Sequence, residues 1–365
     1  MKNILIYIKV FMNYIIQIFY IFLGYRKLED ISKVTEILFF KVGSMGDNII
    51  TLPMIASLKS ANPNLNITML TNQGEKNLVS IENLIDRSYI KEFINYRDGT
   101  PREIWAKLKK NQYDLIIDLT KPSSLFGTLR NMFFFRLLGL KYGLGWSVSE
   151  LPFFRQEQDK YNLVPNEMQK YLSYLKPLHI PLQEEYILNI TKDEKDYIEA
   201  LLLHNNLKNG ELIALVIGSK RDTNRWPLDH FDEVIRYIKE KTNYTPIVIG
   251  GKEDVELVSS LEEDILSFCG DLTPLQSAEL LSRCKLVISN DTGPMHLSYA
   301  VGTYVIAIFS ARDFREKWYP PKDKGTVLRD ETIECRLCYK ESCDDVKCMQ
   351  SIQPKEVISM MDSLL

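Results

Sequence analysis

At 365 residues the chain is longer than one hydrophobic core usually serves, so two domains are expected, each large enough to bury a core of its own. Its composition is that of an ordinary globular protein: 45% hydrophobic, 25% charged, formal net charge -3. That balance gives no electrostatic footprint for nucleic acid, and six cysteines, four of them crowded into residues 335–348, do not make a secreted disulfide scaffold.

In chain order the first feature is "ILIYIKVFMNYIIQIFYIFL", Ile4–Leu23, which is long enough to span a bilayer. It carries Lys9, Asn13 and Gln17 at four-residue spacing, a narrow polar stripe on an aromatic-rich helix, with Lys2 before it and Arg26 and Lys27 after it. The pattern favours a helix lying in the membrane interface, with a transmembrane helix and a helix packed on the protein's own surface as the alternatives. A cleaved signal peptide fits least, since no small-residue cleavage site follows in "FLGYRKLED".

From Ile37 onward apolar strand-like runs alternate with helix-period segments, which reads as βα units and a parallel sheet. "ILFFKV", "NITML" and "DLIIDLT" are strands, and "NIITLPMIASLKSANP" is a helix burying Ile49, Leu52, Ile55, Ala56 and Leu58 and ending at Asn62-Pro63. A second series offers "LIALVIGS", "TPIVIGG", "LVISND" and "TYVIAIFS" as strands, with "LDHFDEVIRYIKEKT" and "PLQSAELLSRCK" as helices between them. The expected division is a membrane-associating helix over 1–30, a first α/β domain over 31–190, a second over 191–350 and a closing helix over 351–365. The boundary falls near 185–195, where the chain turns polar.

Four loops after strands carry candidate chemistry. "VGSMGDN" lets the backbone approach a ligand at Gly43 and Gly46 and sets Asp47 near a helix N-terminus, where it either meets a ligand or caps the helix. It lacks the third glycine of a dinucleotide fingerprint and the lysine of a P-loop. "VIGSKRDTNRWPLDHF" places Ser219, Lys220, Arg221 and Arg225 before a helix starting around Trp226-Pro227, a set suited to a diphosphate, although charged loops are commonly just solvated. "VIGGKEDVEL" presents Glu253 to a ribose or to a helix start. In "VISNDTGPMHLSYAVG", Asp291 and Thr292 end a strand, Gly293 permits close approach, Pro294 suits the first helical turn and His296 follows, so open amides would face an anion. The alternative makes Asp291 or Thr292 an N-cap and His296 a satisfied polar residue.

These stretches, in this order and at these separations, resemble glycosyltransferase family 9, the lipopolysaccharide heptosyltransferases, from about Ile37 to the C-terminus. The resemblance implies a GT-B fold: two Rossmann-like domains facing each other across a cleft, the first taking the acceptor and the second a nucleotide sugar, ADP-heptose in characterised members. It implies that Asp47 is the catalytic base of an inverting transfer and that Arg225, Glu253, Asp291, Thr292, Gly293 and His296 serve the donor, to which the loop reading adds Gly43, Gly46, Ser219 and Lys220. Arg225 stands where the family commonly carries a lysine, which keeps the charge and changes its geometry. The implied acceptor is a growing glycolipid at the cytoplasmic face of a bacterial inner membrane, with residues 1–30 on the membrane surface. A transferase of another nucleotide sugar and a non-catalytic assembly subunit of the same fold are the alternatives.

No metal cofactor is expected for catalysis, because helix N-termini, Lys220 and Arg225 are able to meet the phosphate charge. Cys335, Cys338, Cys343 and Cys348, spaced C-x2-C-x4-C-x4-C, offer enough thiolates for a structural zinc, with paired disulfides or free thiols as the other states.

Overall fold

The computed structural model describes residues 1–72, 80–120 and 124–365. The chain divides into two compact units, Met1–Asn189 and Ile190–Leu365, so the first helix belongs to the first unit and the last helix to the second.

The first unit runs α1 (Lys2–Phe22), β1 (Glu36–Phe40), α2 (Met45–Ile49), α3 (Leu52–Ala61), β2 (Asn66–Thr71), β3 (Glu92–Asn95), α4 (Pro101–Lys110), β4 (Leu115–Asp118), α5 (Leu125–Leu137), β5 (Tyr142–Leu144), α6 (Arg155–Lys160) and α7 (Glu167–Ser173). Among the described residues its five strands are parallel in the order β3-β2-β1-β4-β5. Ile37, Leu38 and Phe39 of β1 are fully buried, because a central parallel strand covered on both faces needs apolar side chains in succession and not in alternation. The chain passes from β1 to β2 on one side, and β4 lies on the other, which makes the loop after β1 the switch point where α/β sheets place their ligands.

Between β1 and β2 the single expected helix is two, α2 and α3, broken at Ile50–Thr51. Pro53 explains the break: without an N–H it cannot donate into the preceding turn, and it is tolerated only in the first turn of a new helix.

On α1 the polar stripe turns toward the protein. Lys9 Nζ donates to Leu163 O at 2.8 Å, and Asn13 accepts from Val148 N at 2.8 Å and donates to Val148 O at 3.3 Å. Burial pushes the Lys9 ammonium down to about 8, against the charge of Glu150. Leu5 and Ile16 are buried on the same side, Ile16 in a core shared with Met132 and Phe135 of α5, while Gln17 remains exposed.

The second unit runs α8 (Lys192–His204), β6 (Leu212–Val216), α9 (Leu228–Lys241), β7 (Thr245–Val248), α10 (Val255–Ser259), β8 (Leu266–Ser267), α11 (Pro274–Ser282), β9 (Leu286–Asn290), α12 (Gly293–Ala300), β10 (Val305–Ile308), β11 (Gly325–Leu328), α13 (Lys347–Gln350) and α14 (Pro354–Asp362). Its six parallel strands take the order β11-β10-β9-β6-β7-β8, with the switch point between β6 and β9. Trp226 anchors the core, packed with Phe231 and Ile235 of α9 and Val357 and Met361 of α14, and its indole donates to Ile352 O at 2.8 Å.

Candidate functional site

In the first unit the site is built at the carboxyl end of β1. Asp47 sits in the first turn of α2, where its Oδ2 accepts from Ser44 N at 3.2 Å and from Ser44 Oγ at 2.9 Å. Helix capping is therefore one of its tasks. Its other oxygen, Oδ1, lies 3.6 Å from Lys41 Nζ. The Lys41 side chain is 1% exposed and that of Asp47 22%, so the carboxylate is the member of the pair a ligand is able to reach. Lys41 Nζ also donates to Tyr171 OH at 3.0 Å and lies 4.9 Å from the centre of that ring. Burial, with the charges of Glu167 and Asp47, holds the Tyr171 phenol well above its usual range, so it remains protonated. On α7, Lys170 pairs with the buried Glu167 at 2.7 Å.

Gly43 has a local duty that its motif did not disclose. A Cβ there would stand 2.4 Å from the Asp47 Cβ, so the glycine makes room for the aspartate to fold back over the loop. Gly46 lies buried within α2.

A second carboxylate, Asp118, ends the neighbouring strand β4. It is fully committed inward: Thr120 Oγ1, Asn131 Nδ2 (3.0 Å) and Trp146 Nε1 (3.1 Å) all donate to it, and burial pushes its carboxyl up. At 1% exposure it braces the sheet end and leaves Asp47 as the accessible acid.

In the second unit the loops after β6 and β9 are knitted together at the switch point. Ser219 Oγ donates to Asp291 O at 3.3 Å, Asn224 Nδ2 to Asp291 Oδ2 at 3.0 Å and Arg225 Nε to Ser219 O at 2.9 Å. Arg225 is also paired with Asp222 at 2.6 Å. Asn290 fastens the base of both loops, donating to Ile217 O at 2.7 Å and accepting from Trp226 N at 3.0 Å. Burial and the nearby Asp313 push the Asp291 carboxyl up to about 7, against the pull of Arg221, Arg312 and the Asn224 hydrogen bond.

Ser219 thus touches both Asp291 and Arg225, and Thr292 and Gly293 follow Asp291 at once. Thr292 is the N-cap of α12 and makes no capping hydrogen bond with its side chain. His296 is 4% exposed and shares a 2.6 Å hydrogen bond between its Nδ1 and Tyr299 OH, the arrangement the satisfied-polar alternative describes. Lys220 is exposed. Glu253 is exposed on the loop after β7, while its neighbour Asp254 is buried against Gly218 and accepts from Gly251 N at 2.8 Å.

The four clustered cysteines are free thiols, Cys335 and Cys338 exposed, Cys343 and Cys348 half-buried. Among the described residues no three His, Cys, Asp or Glu side chains are gathered as a metal site. The cysteine segment has a different connection to the site. Arg312 Nε and Thr223 Oγ1 both donate to Lys340 O, at 2.9 Å and 3.1 Å, and Arg221 pairs with Glu341 at 2.8 Å. The cysteine-bearing segment therefore braces the loop after β6.

Lys41, Tyr171, Asn224, Asn290 and Arg312 were not singled out from the sequence. Lys41 was the legible one, since a lysine inside the buried run "ILFFKV" must find a partner. Tyr171 lies 130 positions further on and carries no local signal.

Residues 102–348 match the model of "Glycosyltransferase family 9 (heptosyltransferase)". The chain is 23% identical over 306 residues to lipopolysaccharide heptosyltransferase 1 of Escherichia coli K12, covering 76% of this chain and 88% of that protein. Among solved structures, a family 9 glycosyltransferase of Veillonella parvula superimposes with a TM-score of 0.69 at 20% identity, covering 93% of this chain and 99% of the other. The E. coli ADP-heptose lipopolysaccharide heptosyltransferase II does so with a TM-score of 0.62 at 19% identity, covering 90% and 98%. These likenesses show the GT-B fold. With more than half of its length matched by the family model, the chain belongs to glycosyltransferase family 9 and is a glycosyltransferase.

Proposed function

We propose that this glycosyltransferase moves a heptose from ADP-heptose, with inversion, onto a lipopolysaccharide core or related bacterial glycolipid at the cytoplasmic face of the inner membrane. The observation that carries the proposal is the reach of Asp47: a carboxylate at the switch point of the first sheet, held in place by Ser44, backed by the buried Lys41 and still open to a ligand. Asp47 takes the proton of the acceptor hydroxyl as that oxygen attacks the anomeric carbon. Arg225 and the uncapped first turn of α12 meet the charge that gathers on the departing diphosphate. The donor is supported by relatives, among them an E. coli heptosyltransferase solved with ADP-2-deoxy-2-fluoro heptose, whose fold this chain shares at a TM-score of 0.58.

Calorimetry with a panel of nucleotide sugars tests the donor. Selective binding of ADP-heptose is expected; tight binding of a UDP- or GDP-sugar in its place moves the protein to another donor, and silence across the panel favours the assembly subunit. Arg225→Ala should raise the dissociation constant for ADP-heptose about tenfold, the scale of one charge-assisted hydrogen bond. An unchanged constant would leave Arg225 as a brace for Ser219. Turnover should persist in excess chelator, whereas loss that magnesium restores would overturn the metal-free stabilisation of the diphosphate.

A further inference from the structure

Helix α1 wears its amphipathicity inside out. Ile4, Tyr7, Phe11, Tyr14, Ile18 and Ile21 recur at three- and four-residue intervals and are all exposed, while Lys9 and Asn13 are spent on hydrogen bonds to the protein. A helix that turns its polar residues inward and its aromatic stripe outward has left the favourable face without a partner.

The stripe does not stand alone. Helix α5 packs beside α1 and is tied to its end, where Arg136 Nε donates to Leu23 O at 2.7 Å. Along α5, Phe126, Phe133 and Leu137 fall on one face, 76%, 50% and 56% exposed, opposite the buried Met132 and Phe135. Phe153, in the short turn before α6, is 93% exposed. Most of the exposed large apolar side chains among the described residues gather on these three neighbouring elements.

We infer that α1 and α5 together form a two-helix docking face that inserts side-on into one leaflet of an anionic bilayer. The inference rests on the membrane-bound acceptor proposed above and adds α5 to the surface that meets the lipid. Charge selects the occupant: α1 and α5 contain no aspartate or glutamate, while Lys2 of α1, Arg26 just after it and Arg130 of α5 are exposed cations. Tyrosine and phenylalanine along the outer stripes are the side chains that settle at the headgroup boundary. A transmembrane course for α1 would sever the Lys9 and Asn13 hydrogen bonds and withdraw Ile16 from the core, leaving the α5 stripe in water.

The test is co-sedimentation of the full chain with phosphatidylethanolamine–phosphatidylglycerol vesicles, beside two double variants: Tyr7→Ser with Phe11→Ser on α1, and Phe126→Ser with Phe133→Ser on α5. Each pair should lower the vesicle partition coefficient about tenfold or more, since each removes two large side chains from lipid. All four side chains are exposed, so unchanged thermal unfolding would confirm that the variants fold. Alkaline carbonate should strip the parent from vesicles. Parent-like binding by the α5 pair would overturn the two-helix face, as would carbonate resistance or a vesicle-indifferent dimer that the substitutions dissociate. ADP-heptose binding measured on the same samples keeps the two readings apart: vesicle binding without donor binding removes the proposed reaction and leaves the docking face, and the reverse removes only the face.

Discussion

Asp47→Asn is expected to lower kcat by about a thousandfold while leaving the dissociation constant for ADP-heptose within about twofold of the parent, the signature of an interaction that matters only as the acceptor proton moves. Asparagine is the informative replacement. Its amide oxygen is able to keep accepting from Ser44 N and Oγ, so the cap of α2 and the course of the loop survive, whereas alanine would forfeit a cap of about 1 kcal/mol as well. What asparagine lacks is a basic oxygen and the charge facing Lys41, 3.6 Å away. Rates from single-turnover assays and affinities from calorimetry decide the matter together. Equal losses in both would make Asp47 a structural residue of the loop, and retention of most of kcat would place the base elsewhere.

That expectation separates what was legible in the sequence from what was not. The alternation of apolar runs and helix-period segments disclosed two parallel-sheet α/β halves, because strands covered on both faces must be apolar throughout. The strands that escaped notice are those at the sheet edges, β3, β5, β8 and β11, whose side chains are only partly buried and so form no continuous apolar run. In the site, motif residues followed by glycine were legible because a strand-turn-helix junction imposes local requirements. Their partners were not. Lys41 reaches Tyr171 across 130 positions, and Asn290 holds Ile217 O from 73 positions away, contacts that only the folded sheet creates. The stripe on α1 was visible from its spacing, yet periodicity alone gives two faces and not the one that meets the protein.

The half-buried Asp291 leads to the second large effect, on stability against pH. In an unfolded chain an aspartate ionises near about 3.9. In the folded protein burial and Asp313 push Asp291 up to about 7. Between those values the folded state holds the extra proton. The contribution of this group to stability is therefore complete below the unfolded value and is lost as pH rises through about 7. Allowing for partial access of solvent to the loop, the loss is on the order of 2 kcal/mol between pH 5 and pH 8. Asp291→Asn removes that slope: the amide oxygen is able to accept from Asn224 Nδ2 as the carboxylate does, and nothing remains to ionise. The variant should unfold at higher denaturant concentration than the parent at pH 8, with the gap narrowing through pH 5 and closing only near about 4, where the unfolded aspartate also holds its proton. Parallel curves across that range would place the Asp291 ionisation outside it. A carboxylate retained at a cost to stability near neutral pH belongs to a working site more readily than to a scaffold. Donor binding by the stabilised variant is thus the second half of the experiment, with weaker affinity expected for ADP-heptose; undiminished affinity would return Asp291 to the role of loop fastener.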